Sequence, residues 1–176
     1  LAVDMSEWIV QATTQPATAE HFSPQGQVAK LVFDRCVNWL RLGCVPVGVI
    51  EGKPPPEKLA RLQQRNGNSK GGVNHHFRAL GLVAVRVMRG LGLPTVEAPG
   101  EAEAMCAALN AAGAVDGCAT SDGDALLFGA KLQFKVCRLQ TEIPTNCRIE
   151  RCDAAEVRQM LGLRETGRQG SHEGVS

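Results

Sequence analysis

A chain of 176 residues that is 44% hydrophobic and 21% charged is long enough for one substantial core and too apolar for wholesale disorder. No apolar run could cross a bilayer, because Arg86 and Arg89 interrupt the longest candidate. The formal net charge of +1 conceals a strong internal division between a basic and an acidic stretch.

In chain order, residues 1–4 read as the end of a strand, and residues 27–42 as an amphipathic helix burying Val28, Leu31, Val32, Cys36, Trp39 and Leu40. A buried strand spans 45–50, and the prolines Pro54, Pro55 and Pro56 then admit a helix over 57–65. Residues 73–91 form another helix, closed by Gly92 and Pro94. A short strand over 95–98 leads to a helix over 101–111 that Gly113 ends. The spacing then predicts a strand over 115–120, a short helix over 124–128, a strand over 132–137, and a last helix over 154–161 capped by Asp153. This alternation specifies an α/β fold, a largely parallel (mixed) sheet sandwiched by helices. Residues 15–26 and 66–74 are turn-rich and expected to be mobile, His75 and His76 beside them fitting DNA contact or solvation better than a metal. Trp8 and Trp39 lie on apolar faces and belong to the core. The expectation is one domain over 1–163 with a disordered tail over 164–176, where apolar residues almost vanish.

Seven cysteines without CxxC spacing fit reduced thiols in a nuclear or cytosolic protein, with Cys147 and Cys152 a weak metal pair at best. From Lys53 to Arg89 eight basic residues face the single acid Glu57, a formal charge of +7. The segment from Gly90 to Ala130 holds six acids and no Lys or Arg. A basic arm beside an acidic pocket suits a polyanion gripped by one and hydrolysed at the other, although a basic run is also an ordinary solvated helix face.

The acids are placed at element ends. Asp4 ends the first strand, Glu51 follows the second, Glu101 and Glu103 open the helix after the third, and Asp122 and Asp124 follow the fourth. Carboxyl ends of parallel strands share one sheet edge, so independent segments deliver carboxylates to one place, and the helix N-terminus there favours negative charge. Glu101 and Glu103 cannot both face one point from inside a helix, so Pro99-Gly100 should leave Glu101 in the entry turn. Crowded carboxylates without counter-charge need a cation, and hard oxygen donors favour magnesium or manganese. Two magnesium ions held there would serve phosphodiester hydrolysis without a nucleophilic side chain. Ser121 could cap the helix that starts near Asp124.

The stretch APGEAEAMCAALN followed by VDGCATSDGDALLFGA resembles the internal motif of the flap endonuclease/XPG family of structure-specific nucleases, most closely its Holliday-junction-resolving and plant single-strand-endonuclease branch. LAVDMSEWI and VIEGKPPPEKLARLQQR are similar to the family's first-strand and second-strand motifs. The resemblance implies a PIN-like 5′-nuclease fold over residues 1–163, lacking the family's C-terminal helix–two-turn–helix, and two Mg2+ ions with Mn2+ as a substitute. It implies metal ligands at Asp4, Glu51, Glu101, Glu103, Asp122 and Asp124, with Glu51 standing where the family has Asp. Lys58 and Arg65 match residues that touch the scissile phosphate, and Lys53, Lys58, Arg61, Arg65 and Lys70 would line the DNA. The function implied is endonucleolytic hydrolysis of branched or flapped DNA in repair or recombination, in the nucleus, with no organic cofactor and no membrane partner, and with the oligomeric state open. The family pattern continues past LGL whereas this chain reads ETGRQGSHEGVS, so a chain cut short at both ends is the expectation.

Three other readings stay open. One is a catalytically impaired DNA-binding chain with the same fold, because of Glu51 and the unmatched end. Another is a chain left with a bare sheet edge that does not fold stably. The third is a haloacid-dehalogenase-type phosphatase built on DGD, which has Ala125 where Thr or Val is required and leaves Glu101, Glu103 and the basic arm unused.

Overall fold

The computed structural model describes residues 1–14, 22–52, 72–136 and 149–163. Six strands and six helices follow in the order β1 (Ala2–Asp4), α1 (Met5–Thr14), α2 (Pro24–Arg41), β2 (Val47–Ile50), α3 (Gly72–Gly90), β3 (Thr95–Glu97), α4 (Ala102–Ala111), β4 (Cys118–Ala119), α5 (Asp124–Leu127), β5 (Leu132–Val136), β6 (Ile149–Asp153) and α6 (Ala154–Met160). They form one sheet in the order β3-β2-β1-β4-β5-β6. All neighbours pair in parallel except β6, which runs antiparallel to β5. The α/β, largely parallel architecture is therefore as expected. Strand β1 is the switch point: β2 and β3 extend to one side of it and β4 onward to the other, which opens a crevice at the carboxyl ends of β1 and its neighbours.

Alternation along each strand sorts residues to the two faces. Val3 and Ala119 face a layer from α1, α2 and α3, packed with Trp8, Ile9, Val28, Val32, Cys36, Trp39, Leu80 and Met88. Ala2 and Cys118 face a layer of small residues from α4 and its surroundings, including Ala98, Ala102, Cys106, Ala107 and Ala125. Small side chains on this second face let α4 lie close to the sheet, which brings its first turn to the crevice. Trp8 and Trp39 are buried as expected and meet edge-on, with ring centroids 5.9 Å apart. No helix among the described residues is long and apolar enough to cross a membrane.

Several boundaries differ from the sequence-based expectation. Helix α1 was not anticipated, because it continues β1 with no turn residue between. Its buried Met5, Trp8, Ile9 and Ala12 nevertheless keep helical spacing. Helix α2 begins at Pro24, where Ser23 Oγ accepts from the Gly26 amide at 3.3 Å, so residues 24–26 are helical rather than loop. Residues 72–74 likewise belong to α3, and His76 is an exposed residue of that helix. Strand β4 is only two residues long because its approach is spent in a turn, with Val115 O accepting from Asn110 Nδ2 at 3.1 Å. The edge strand β6 has no apolar run to announce it, since Ile149, Glu150 and Arg151 are all exposed. The expected helix over 57–65, most of the mobile stretches and the tail over 164–176 fall outside the described residues.

One polar residue ties the second layer together. Asn110 is 3% exposed, and besides its bond to Val115 its Oδ1 accepts from the amides of Lys131 and Leu132 at 2.7 and 3.0 Å. Asn110→Ala would strand two amides and one carbonyl, each costly to leave unmet. Chemical denaturation should register a loss of about 3 kcal/mol.

Candidate metal centre

The carboxyl edge of the sheet gathers the acids. Asp4 closes β1 and is partly buried, and its Oδ1 accepts from the Ser6 amide at 2.7 Å, satisfying a free N–H of the first turn of α1. Burial, reinforced by the charges of Glu51 and Glu7, nonetheless raises its pKa. Glu51 follows β2 and is close enough to Asp4 to repel its charge. Glu101 occupies the N-cap position of α4 with extended backbone (φ −74°, ψ 134°). It therefore stands outside the helix, as the Pro99-Gly100 pair implied, and leaves Glu103 alone in the first turn.

Glu103, Asp122 and Asp124 each place a carboxylate oxygen within 4.8 Å of the other two. Asp122 and Asp124 share a tight turn: the Asp122 amide donates to Thr120 Oγ1 at 3.1 Å, and the Asp124 amide donates to Asp122 Oδ1 at 3.2 Å. Glu103 Oε1 is buried and has no hydrogen-bond partner. Burial, and then the charges of Asp122, Asp124 and Asp4, push the Glu103 carboxyl up to about 7. A carboxylate that gathers with two others and keeps one buried oxygen without a hydrogen-bond partner is the coordination chemistry of a hard divalent cation. The residues present therefore fit the magnesium or manganese expected from the sequence. Two of the expected ligands complete the three-residue cluster with Glu103, and Asp4 acts on Glu103 electrostatically.

The raised pKa has a definite consequence in chelator. Folded Glu103 holds its proton up to about 7, against 4.5 for the ordinary group. Its contribution to stability is then fully present below the ordinary pKa and is lost as pH rises through about 7. Asp4, also raised, acts in the same direction. Thermal denaturation of the chelated chain should show Tm falling from pH 5 to pH 8, by on the order of a few degrees. Glu103→Gln should flatten the slope, and added Mg2+ should restore Tm at the alkaline end.

Two residues that sequence reasoning passed over also touch this turn. Glu7 of α1 accepts from the Ser121 amide and hydroxyl at 3.1 and 2.6 Å. Gln133 of β5 donates to the carbonyls of Thr120 and Asp122. A glutamine inside the apolar strand LQFKV was a legible signal, whereas nothing in the sequence singles out Glu7. Ser121 does not cap α5: the N-cap is Gly123, which makes no side-chain capping bond, and the Ser121 hydroxyl is committed to Glu7 instead. Lys53, Lys58, Arg61, Arg65 and Lys70, the expected phosphate and DNA contacts, lie outside the described residues. So does Cys147, while Cys36, Cys44, Cys106, Cys118 and Cys152 are free thiols.

Two family models match, the XPG N-terminal domain over residues 1–71 and the XPG I-region over residues 92–169. The chain is 32% identical over 173 residues to flap endonuclease GEN homolog 1 of Homo sapiens, an alignment covering 93% of this chain and 18% of that relative. The crystal structure of human GEN1 in complex with Holliday junction DNA matches with a TM-score of 0.71 at 31% identity, over 93% of this chain and 40% of that one. A structure of the junction-resolving enzyme GEN1 with product DNA and a Mg2+ ion matches with a TM-score of 0.62 at 28% identity, over 90% of this chain and 33% of that one.

Proposed function

This chain belongs to the flap endonuclease/XPG family, and from that premise we propose that it is a metal-dependent, structure-specific endonuclease acting on branched or flapped DNA. The observation that carries the proposal is the cluster of Glu103, Asp122 and Asp124 at the carboxyl edge of the sheet, with Glu103 Oε1 buried and unpartnered. Similarity to a GEN1 structure that holds product DNA and Mg2+ supports the same reading. In this proposal residues 1–163 are the nuclease domain, the substrate is duplex DNA with a branch or flap, and the place of action is the nucleus.

Asp4, Glu51, Glu101, Glu103, Asp122 and Asp124 would hold two Mg2+ ions, with Mn2+ as a substitute. The chemistry supplied by such cations is Lewis-acid polarisation of the phosphodiester and of the attacking water. The protein's own part is positional and electrostatic. Carboxylates delivered by rigid strand ends and a helix N-terminus are preorganised and need little rearrangement at the moment of reaction. Half-burial of Glu103 and Asp4 lowers the local dielectric, strengthening every interaction with charge placed there. Lys58 and Arg65 would clamp the scissile phosphate, and Lys53, Arg61 and Lys70 would follow the backbone on either side.

Glu51 favours one alternative, a DNA-binding protein with impaired catalysis, because its extra methylene shifts a carboxylate relative to the Asp that the motif resemblance leads one to expect there. The test is magnesium-dependent cleavage of labelled 5′-flap and four-way-junction DNA by this chain. Cleavage abolished by chelator and by Asp122→Ala supports the endonuclease. A folded chain that binds these DNAs without cutting them supports the alternative.

A further inference from the structure

We propose that Glu7 and Gln133 are positioning residues for the metal centre: from opposite sides they hold the turn that carries Asp122 and Asp124, and so set where those two carboxylates stand relative to Glu103. The inference presupposes that this cluster holds a divalent cation, and it assigns a role to two residues that do not reach the cluster themselves.

On one side Glu7 grips Ser121, the residue before Asp122, with both oxygens: Oε2 accepts the backbone N–H at 3.1 Å and Oε1 the hydroxyl at 2.6 Å. Backbone and side chain of the same residue are thus tied to one rigid carboxylate. Glu7 is itself anchored, since Gln11 Nε2 donates to its Oε1 at 2.9 Å. Arg35 of α2 donates in turn to Gln11 Oε1 and stacks over the Trp8 ring at 5.1 Å from its centroid. The series runs from the packed α1–α2 interface to the edge of the metal cluster. Electrostatics act on Glu7 both ways, since its charge repels Asp4 and attracts the Arg35 guanidinium.

On the other side Gln133 is fully buried at 0% exposure. Its Nε2 donates to Thr120 O at 3.2 Å and to Asp122 O. Carbonyls only accept, so the amide must face them with nitrogen, and its Oε1 is left buried with no partner. An apolar side chain of similar size would remove that orphan but leave both carbonyls without their donor. A buried glutamine that joins the two carbonyls flanking Ser121 while leaving its own oxygen unmet holds the shape of the turn. Thr120 completes the hold by accepting the Asp122 amide. Outer partners of this kind orient ligating carboxylates, and their loss costs about 10–100-fold in metal affinity.

The test is Mn2+ binding by the full chain, followed by electron paramagnetic resonance of the free ion, with Tm measured in chelator for each variant. Glu7→Leu, Ser121→Ala and Gln133→Leu should each weaken Mn2+ binding by about tenfold. Glu7→Gln should weaken it less, because an amide can still accept from the Ser121 N–H and donate to its hydroxyl, losing only the bond from Gln11. Gln133→Leu removes the orphaned Oε1 but also leaves the Thr120 and Asp122 carbonyls without their donor, so its Tm should fall. Weaker Mn2+ binding at a temperature where that variant is fully folded, overcome at saturating Mn2+, is the readout of positioning. Cleavage by these variants should recover as Mn2+ is raised to saturation. Unaltered Mn2+ affinity in folded variants overturns the inference, as does a Glu7→Gln loss equal to that of Glu7→Leu, which would leave only a charge effect. If Glu7→Leu does not fold, Ser121→Ala reports the same contact from the exposed side. Asp122→Ala separates the two levels: if it binds Mn2+ as the unmodified chain does, the metal-centre reading itself fails. If it alone loses binding, only the positioning role falls.

Discussion

Asp122→Ala is expected to cut magnesium-dependent cleavage by at least about 10³-fold, on the order of 4 kcal/mol of transition-state stabilisation. The carboxylate removed is one of three that converge within 4.8 Å. Its turn is pinned at Thr120, and Asp124 lies one glycine further along, already in α5. DNA binding should survive, since the proposed phosphate contacts lie in the basic arm and not in this cluster, and it should tighten slightly once a negative charge near the phosphates is gone. Single-turnover cleavage, with binding followed separately by fluorescence anisotropy in chelator, distinguishes the two quantities. Retained cleavage in the folded variant would remove Asp122 from the site. Glu103→Gln should lose cleavage by a comparable factor while gaining stability without metal at alkaline pH, because the burial of charge, and with it the repulsion, that lifts the Glu103 pKa disappears. Opposite signs for activity and stability are the mark of a site whose charges are held together for function.

Gly52→Ala should be the most damaging single-methyl change at the sheet edge. A Cβ at Gly52 would stand 1.8 Å from the Ala98 carbonyl oxygen, 2.9 Å from the Ala98 carbonyl carbon and 3.0 Å from that of Pro99. All three are backbone atoms, so no rotamer change relieves the clash and the ends of β2 and β3 must part. The Gly52 amide also donates to Gly100 O at 2.9 Å, tying the residue after Glu51 to the residue before Glu101. The expected result is a loss of about 3 kcal/mol in urea denaturation. Weakened Mn2+ binding should accompany it, because two acid-bearing segments shift together. Gly123→Ala is the natural control, since a Cβ there meets nothing within 4 Å. It should leave global stability within about 0.5 kcal/mol.

Much of the site was legible from the order of residues alone. Acids recurring directly after predicted strands, with Pro99-Gly100 breaking the approach to Glu103, sufficed to place four separate segments at one edge. Parallel pairing then leaves those strand ends no other side to occupy. The alternation of short apolar runs with amphipathic helices likewise carried the α/β class, because period two and period 3.6 patterns rarely masquerade as each other over many elements. Helix α1 escaped notice since no turn residue separates it from β1, and β6 since an exposed edge strand has no apolar face to declare it.

The sequence by itself therefore determined the chemistry available, the family and the edge at which that chemistry gathers, all of which follow from residue type, local periodicity and strand direction. Only the tertiary structure decided which carboxylates close to within contact of one another, which oxygen is buried without a partner, and that Glu7 and Gln133 grip the intervening turn. The grip of Glu7 and Gln133 rests on contacts between residues 114 and 11 positions apart. Packing of α1 and β5 against β4 creates such contacts, and local spacing carries no record of them.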